Sequence, residues 1–265
     1  MTIHPKISVF ALEICLFLLG PAGRAIAQSC GSQQPPCTVV AGVVSYESES
    51  DSGNVCGNAT SPVPAKYSCS GKWEDSGNAA SGTGSVRGTA RYGFLKAKAH
   101  AAVRMAASEE FAETITRTAS GFGDLLSFPT LPNGTFATLS ATITVSGTSS
   151  VSNSVSALNA YGELGLGCSA TNFLECTSSC TTGVVANGGC TISQQVQGGS
   201  GSVVINAALG CSATSVMEVD TSGSATASCD YDSGKNGAWI SSLTLTDANG
   251  KSYEIVAASG HKYPE

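Results

Sequence analysis

From Phe94 to Met105 the chain alternates between two chemical characters almost without a break. Leu95, Ala97, Ala99, Ala101, Val103 and Met105 share one parity, and Phe94, Lys96, Lys98, His100 and Arg104 share the other. A repeat of two puts successive side chains on opposite faces of a strand, one face buried and one wet. Ala, Leu, Lys, Arg and Met also form helices well, so a helix over Phe94–Phe111 is the rival. The length of the unbroken alternation favours the strand. The small residues on the buried parity predict a neighbouring sheet at close approach. Phe136–Ser146 repeats the pattern, with Ala137, Leu139, Ala141, Ile143 and Val145 against Thr138, Ser140, Thr142 and Thr144.

Further strands are expected at Thr38–Tyr46, Tyr67–Trp73, Ser85–Tyr92, Phe111–Thr118, Val155–Leu166, Val203–Leu209, Ser215–Val219 and Ser224–Tyr231. The turn signal Asp247-Ala248-Asn249-Gly250 predicts a hairpin between Trp239–Thr246 and Lys251–Ala257. Glu47–Asn58, Asp75–Gly84 and Gly121–Asn133 read as loops or connections because Gly, Ser, Asn and Pro accumulate there. Many short strands and no convincing helix give an all-β class, a β-sandwich of jelly-roll type. One domain is expected over residues 38–260, with residues 261–265 as a tail. Leu166-Gly-Cys-Ser-Ala-Thr171 recurs as Leu209-Gly-Cys-Ser-Ala-Thr214, which suggests two equivalent strand ends, each delivering a cysteine.

Residues 1–27 read as a secretory signal peptide: Lys6, the apolar Ile7–Leu19 and the small-residue site Ala25-Ile26-Ala27. Residues 28–37 are a polar leader. Removing Cys15 with the signal leaves Cys30, Cys37, Cys56, Cys69, Cys168, Cys176, Cys180, Cys190, Cys211 and Cys229. An even set in an exported chain reads as disulfides, with connectivity open. Residues 168–190 hold four of them and little regular pattern, so they read as a disulfide-rich insertion. Zinc at Cys176-x-x-x-Cys180 lacks a supporting His. No later stretch is apolar and long enough to span a membrane. A secreted, extracellular or periplasmic location follows.

The formal net charge is −6 and only 12% of residues are charged, a balance that argues against nucleic-acid binding. Beyond the signal, His occurs only at His100 and His261, and there is no Gly-x-Ser-x-Gly elbow. Glu109, Glu110, Glu113 and Asp124 are the acids closest in sequence to a glycosidase-type pair, and a solvated loop is the simpler reading. Asp230, Asp232 and Asn236 offer alternating oxygen ligands for calcium, but Gly234 stands where a third ligand belongs and the closing Glu is absent. Glu47, Glu49 and Asp51 form a second such run. Lys96, Lys98 and Arg104 share the wet parity of the first strand, with Arg87 and Arg91 just upstream. This stripe suits an acidic polysaccharide; an edge-protecting strand face is the simpler reading. Trp73 and Trp239 suit sugar stacking or the core. Asn58-Ala-Thr60 and Asn133-Gly-Thr135 match the glycosylation pattern.

Three stretches carry a family resemblance: Tyr92-Gly-Phe-Leu-Lys-Ala-Lys-Ala-His-Ala, then Phe136 to Gly147, then Leu243-Thr-Leu-Thr-Asp-Ala-Asn-Gly through Ala258-Ser-Gly-His-Lys-Tyr-Pro264. Together they resemble uncharacterised exported bacterial β-rich proteins, many of which carry a PEP-CTERM sorting tail. The resemblance implies an envelope or matrix protein and brings no catalytic residues. Such relatives continue into a Pro-Glu-Pro signal, a membrane helix and a basic tail, whereas this sequence ends at Glu265, so secretion is expected over anchoring.

The expected function is therefore a non-catalytic binding or structural role in the extracellular matrix. The alternatives are a carbohydrate-active enzyme or a calcium-dependent carbohydrate-binding module, with calcium as the one cofactor considered. The disulfide reading predicts that alkylating the unfolded, unreduced protein labels none of the ten cysteines; several labelled thiols would refute it.

Overall fold

The computed structural model describes residues 38–48, 52–56, 65–75, 79–106, 111–152, 157–168, 178–181, 187–218 and 222–264. The signal and leader expected over residues 1–37 lie outside them. So do Cys30, Cys37 and Cys176, the side chains of Cys56, Cys168 and Cys180, the sequon at Asn58, and the acids Glu49, Asp51, Glu109 and Glu110. The described residues are all-β and antiparallel, with no helix, and hence none long and apolar enough to cross a membrane.

In chain order the strands are β1 (Thr38–Ser48), β2 (Ser52–Cys56), β3 (Ala65–Glu74), β4 (Ala80–Arg91), β5 (Phe94–Met105), β6 (Phe111–Ser127), β7 (Phe136–Ser146) and β8 (Thr148–Val151). They continue as β9 (Ala157–Cys168), β10 (Ser178–Thr181), β11 (Gly188–Gln197), β12 (Val203–Glu218), β13 (Gly223–Tyr231), β14 (Gly237–Asp247) and β15 (Val256–Ala257). One sheet has the order β10-β9-β12-β6-β1-β2, with β15 added at the end of β6.

The second sheet is best understood as six ribbons. β5 pairs with β4 along its whole length, Ala80↔Met105 to Arg91↔Phe94, across the tight turn at Gly93 (φ 76°). Its other edge pairs first with β13, Gly223↔Met105 to Tyr231↔Ala97, and then with β14 at Ala238↔Leu95. β13 and β14 are thus one ribbon interrupted by residues 232–236. β8 and β7 form the next ribbon, paired to β13 and β14 respectively and broken at Gly147. A Cβ on Gly147 would overlap the ring of Tyr231, so only glycine fits the break. β3 and β11 close the two edges.

The two sheets share one core. Leu95, Ala97, Ala99, Ala101, Val103 and Met105 of β5 are at most 2% exposed, so the predicted apolar parity is the inner face. Across from them lie Phe122 and Leu126 of β6 and Ile205, Leu209 and Ala213 of β12. Cys211 and Cys229 join the sheets by a disulfide with Cα atoms 6.2 Å apart. Stacked sheets ordinarily stand about 10 Å apart, so this approach requires the alanines around it. Closing the loop between them is worth about 3 kcal/mol by the chain-entropy estimate. Cys69 and Cys190 are also disulfide-bonded.

At so short a separation, hydroxyls replace hydrocarbon on part of the inner face. Thr114, Thr116, Thr118 and Ser120 of β6 are buried, while Phe111, Ile115 and Arg117 take the outward parity. Thr114 Oγ1 donates to the Ala102 carbonyl (3.1 Å) and accepts from Trp73 Nε1 (2.8 Å), and Ser120 Oγ donates to the Lys96 carbonyl (2.7 Å). These bonds tie β6 to the opposite sheet and satisfy polar groups that burial would otherwise leave costly.

Several local expectations change. Gly82 and Gly84 do not break the chain into a loop but lie in β4, where the absent side chain of Gly82 lets Thr114 of the first sheet in. Gly121–Asp124 continue β6, because β12 pairs with all four and β1 with Gly121 and Phe122. Val203–Glu218 is one strand, so Cys211 sits mid-strand while Cys168 ends β9, and the two copies of the short repeat are not equivalent. Ser178–Thr181 and Gly188–Gln197 within and beyond the Cys-rich stretch are strands of opposite sheets. The Asp247–Gly250 turn forms, but its return leaves β14 after the Thr246↔Ser252 bridge and crosses to pair β15 with β6.

The tight packing predicts a sharp asymmetry between glycines. A Cβ on Gly82 would overlap Trp73 Nε1 and Thr114 Oγ1 and stand 2.7 Å from the Ala102 carbonyl, whereas one on Gly188 meets nothing within 4 Å. Gly82→Ala should lower stability by about 1–3 kcal/mol in urea unfolding, as overpacked cores do, and Gly188→Ala should not.

Candidate functional site

The outer face of the second sheet carries the wet parity of β5. Register places Arg87 beside Lys98 on one side and Asp230 beside it on the other, with Thr89 beside Lys96 and Arg91 beside Phe94. Residues 232–236, which interrupt the β13–β14 ribbon, fold over this spot. Lys98 Nζ donates to Asp230 Oδ2 at 2.7 Å. Lys96 Nζ donates to the Asp232 carbonyl (2.7 Å) and the Gly234 carbonyl (3.3 Å), with the Asp232 carboxylate at 3.6 Å. Arg87 Nε stands 3.2 Å from the other Asp232 oxygen. The lysines that the sequence offered to an anion and the aspartates that it offered to calcium therefore meet one another.

Asp230 is the anchor of this turn. Its carboxylate also accepts from Ser233 Oγ (2.7 Å) and from the backbone amides of Asp232 and Ser233 (both 2.9 Å). Partial burial opposes its ionisation, but the Lys98 ammonium, the Ser233 hydroxyl and the two amides outweigh that and hold it well below the usual carboxylate range. Asn236 faces away from the carboxylates, its Oδ1 accepting from Ser146 Oγ at 3.4 Å. Among the described residues no group of three or more His, Cys, Asp and Glu is placed to hold a metal. Arg104 lies six residues along β5 from Lys98, about 20 Å at strand rise, between Ser81 and Ser224. His100 adjoins Lys98, and burial first, then the neighbouring ammonium, push its imidazole below its ordinary range.

Beyond the ion-pair cluster the face opens into a groove of about 850 Å³ lined by Lys66, Thr89, Arg91, Phe94, Lys96, Gly234, Lys235 and Trp239. Its floor is aromatic. Phe94 and Trp239 stack with centroids 6.4 Å apart and ring planes 21° from parallel. Arg91 Cζ lies 4.9 Å, and Lys96 Nζ 5.7 Å, from the Phe94 centroid, within the range where a cation is held by the ring face. Gly234 (φ 61°) turns the loop tip so that the exposed Lys235 borders the groove. Of the two tryptophans, Trp73 is buried and bonded to Thr114, and Trp239 stands on this face. On the far side of Trp239 the face is uncharged: Thr142 and Thr191 share a hydrogen bond (2.9 Å), as do Thr144 and Ser241 (2.7 Å) and Ser140 and Ser193 (3.0 Å).

The remaining sequence candidates serve the fold. Asp124 is buried at the end of β6, where it accepts from Tyr263 OH (3.0 Å), the Ser259 amide (3.1 Å) and, at short range, Ser259 Oγ. His261 gives its backbone amide to Ser259 Oγ (3.1 Å), and its ring packs edge-on against Tyr263. This Ser, His and Asp set fastens residues 259–263; it does not align a nucleophile with a base. Asn133 is exposed in a turn. Lys66 and Lys235 were missed in the sequence because they come from β3 and from the ribbon interruption, and neither has a local signal. The Phe94–Trp239 pair had a weak one, two large aromatics on wet positions.

Comparison with protein-family models, with curated proteins and with solved structures finds no match for this chain.

A depressed folded-state pKa adds stability that is complete above the ordinary aspartate value of about 3.9 and shrinks as pH falls below it. The thermal midpoint gap between the wild type and Asp230→Asn should therefore be larger at pH about 7 than at pH about 3. A gap that stays constant would mean that ionisation of Asp230 contributes nothing to stability.

Proposed function

We propose that this protein is an exported, non-catalytic binding protein of extracellular or envelope-matrix polysaccharide. In this reading the β-sandwich is of jelly-roll type, residues 168–190 are its disulfide-stapled insertion, and residues 1–27 direct export. The observation that carries the reading is the groove over Phe94 and Trp239. A sugar ring has an apolar C–H face that stacks on an aromatic plane, and a shallow open groove admits a polymer running through it. The inter-sheet disulfide and the resemblance to exported envelope proteins agree with an oxidising compartment.

The test is retention of the purified protein on a panel of immobilised polysaccharides, with reducing ends assayed in parallel and with and without a calcium chelator. Retention on at least one polymer, with no new reducing ends and no effect of chelator, is expected. No retention on any polymer, or release of reducing ends, would overturn the reading.

A further inference from the structure

We propose that the Phe94–Trp239 groove selects a carboxylated, uronate-bearing polysaccharide; this rests on the polysaccharide-binding reading above. The whole chain has a net charge of −6, yet among the described residues the groove is lined by Lys66, Arg91, Lys96 and Lys235 and by no carboxylate. Lysine and arginine donate hydrogen bonds and accept none, and among the described residues Thr89 is the one lining side chain that can accept. A neutral sugar, whose hydroxyls need acceptors as well as donors, is poorly matched here. A polymer whose rings carry carboxylates is matched: the ring lies on Trp239 while its carboxylate takes the ammonium donors at the opening, Lys66 and Lys235.

The cations divide into three kinds. Arg91 lies over the Phe94 ring. Lys96 is committed to the carbonyls of Asp232 and Gly234, so it is a positioning residue that holds the loop in place. Lys66 and Lys235 are exposed and border the opening. The nearby negative charge is neutralised within the face, Asp230 by Lys98 and Asp232 by Arg87 and Lys96. The ion-pair cluster thus keeps carboxylates from repelling an anionic ligand while fixing the loop that carries Lys235.

Trp239 supplies the readout, because Trp73 is buried and remote from the ligand. Titration of the full chain with oligogalacturonate should give a saturable change in tryptophan fluorescence that weakens several-fold on adding about 0.5 M salt, as screening demands. Lys66→Glu/Lys235→Glu should weaken binding at least ten-fold with an unchanged thermal midpoint, and Trp239→Ala should abolish the fluorescence change. Lys96→Met should weaken binding without removing a ligand contact, and adding Lys235→Glu to it should cost little more. Equal binding of a neutral cello-oligosaccharide, insensitive to charge reversal, would overturn the uronate assignment and leave polysaccharide binding standing. Failure of every saccharide would overturn both. Tighter binding of sulfated dextran or of single-stranded DNA would assign the groove to another anion.

Discussion

The separation of the two sheets governs everything else in this molecule. At Cys211–Cys229 the Cα atoms are 6.2 Å apart, and a gap so narrow calls for small residues around the bridge, Ala99 and Ala101 on one side and Ala213 on the other. Alanine on β5 and glycine on β4 are the consequence, as are hydroxyls on the facing side of β6. A small-residue core removes less apolar area from water per residue than an ordinary one. Cohesion is instead shared with hydrogen bonds that cross the gap, Thr114 to Ala102 and Ser120 to Lys96, and with the covalent bridge. The larger side chains are displaced to the ends: Trp73, Met105 and Met217 at one, Phe122, Leu126 and Leu131 in the main cluster towards the other.

That constraint also decides what could be read in advance. β5 and β7 were legible because one face is apolar and the other wet, and their period is visible in the residues alone. β6 was only half legible. Its Thr114 and Thr116 look like a solvent face and its Ile115 like a core residue, but each of these two hydroxyls donates to a backbone carbonyl, of Ala102 and of Ala213, which hydrocarbon could not do. The glycines of β4 and of Gly121–Gly123 signal loops in an ordinary sheet. Here they are strand residues, because pairing on both edges or a close approach above them outweighs their local preference. The return after Gly250 departs from the expected hairpin because Tyr253, Ile255 and Ala257 pack towards the core and the other sheet.

The candidate site was legible in its parts and not in its assembly. The basic stripe at Lys96 and Lys98 and the acidic run at Asp230 and Asp232 lie more than a hundred residues apart, and only the β5–β13 register brings Lys98 against Asp230. Their pairing turns two apparent binding motifs into one structural cluster. Conversely, Lys66, Arg91 and the Lys235–Trp239 stretch come from three separate parts of the chain, so no single motif could announce the groove.

The interruption between β13 and β14 has a consequence of its own. The ladder stops at Tyr231↔Ala97 and resumes at Ala238↔Leu95, with the neighbouring ribbon breaking at the matching point, Gly147. Residues 232–236 therefore lie outside the ladders of the core strands and are tied to the outer face through Lys96 and Arg87 instead. The interior and this short loop are thus held by different means, the one by the narrow gap between the sheets and the other by ion pairs on the outer face.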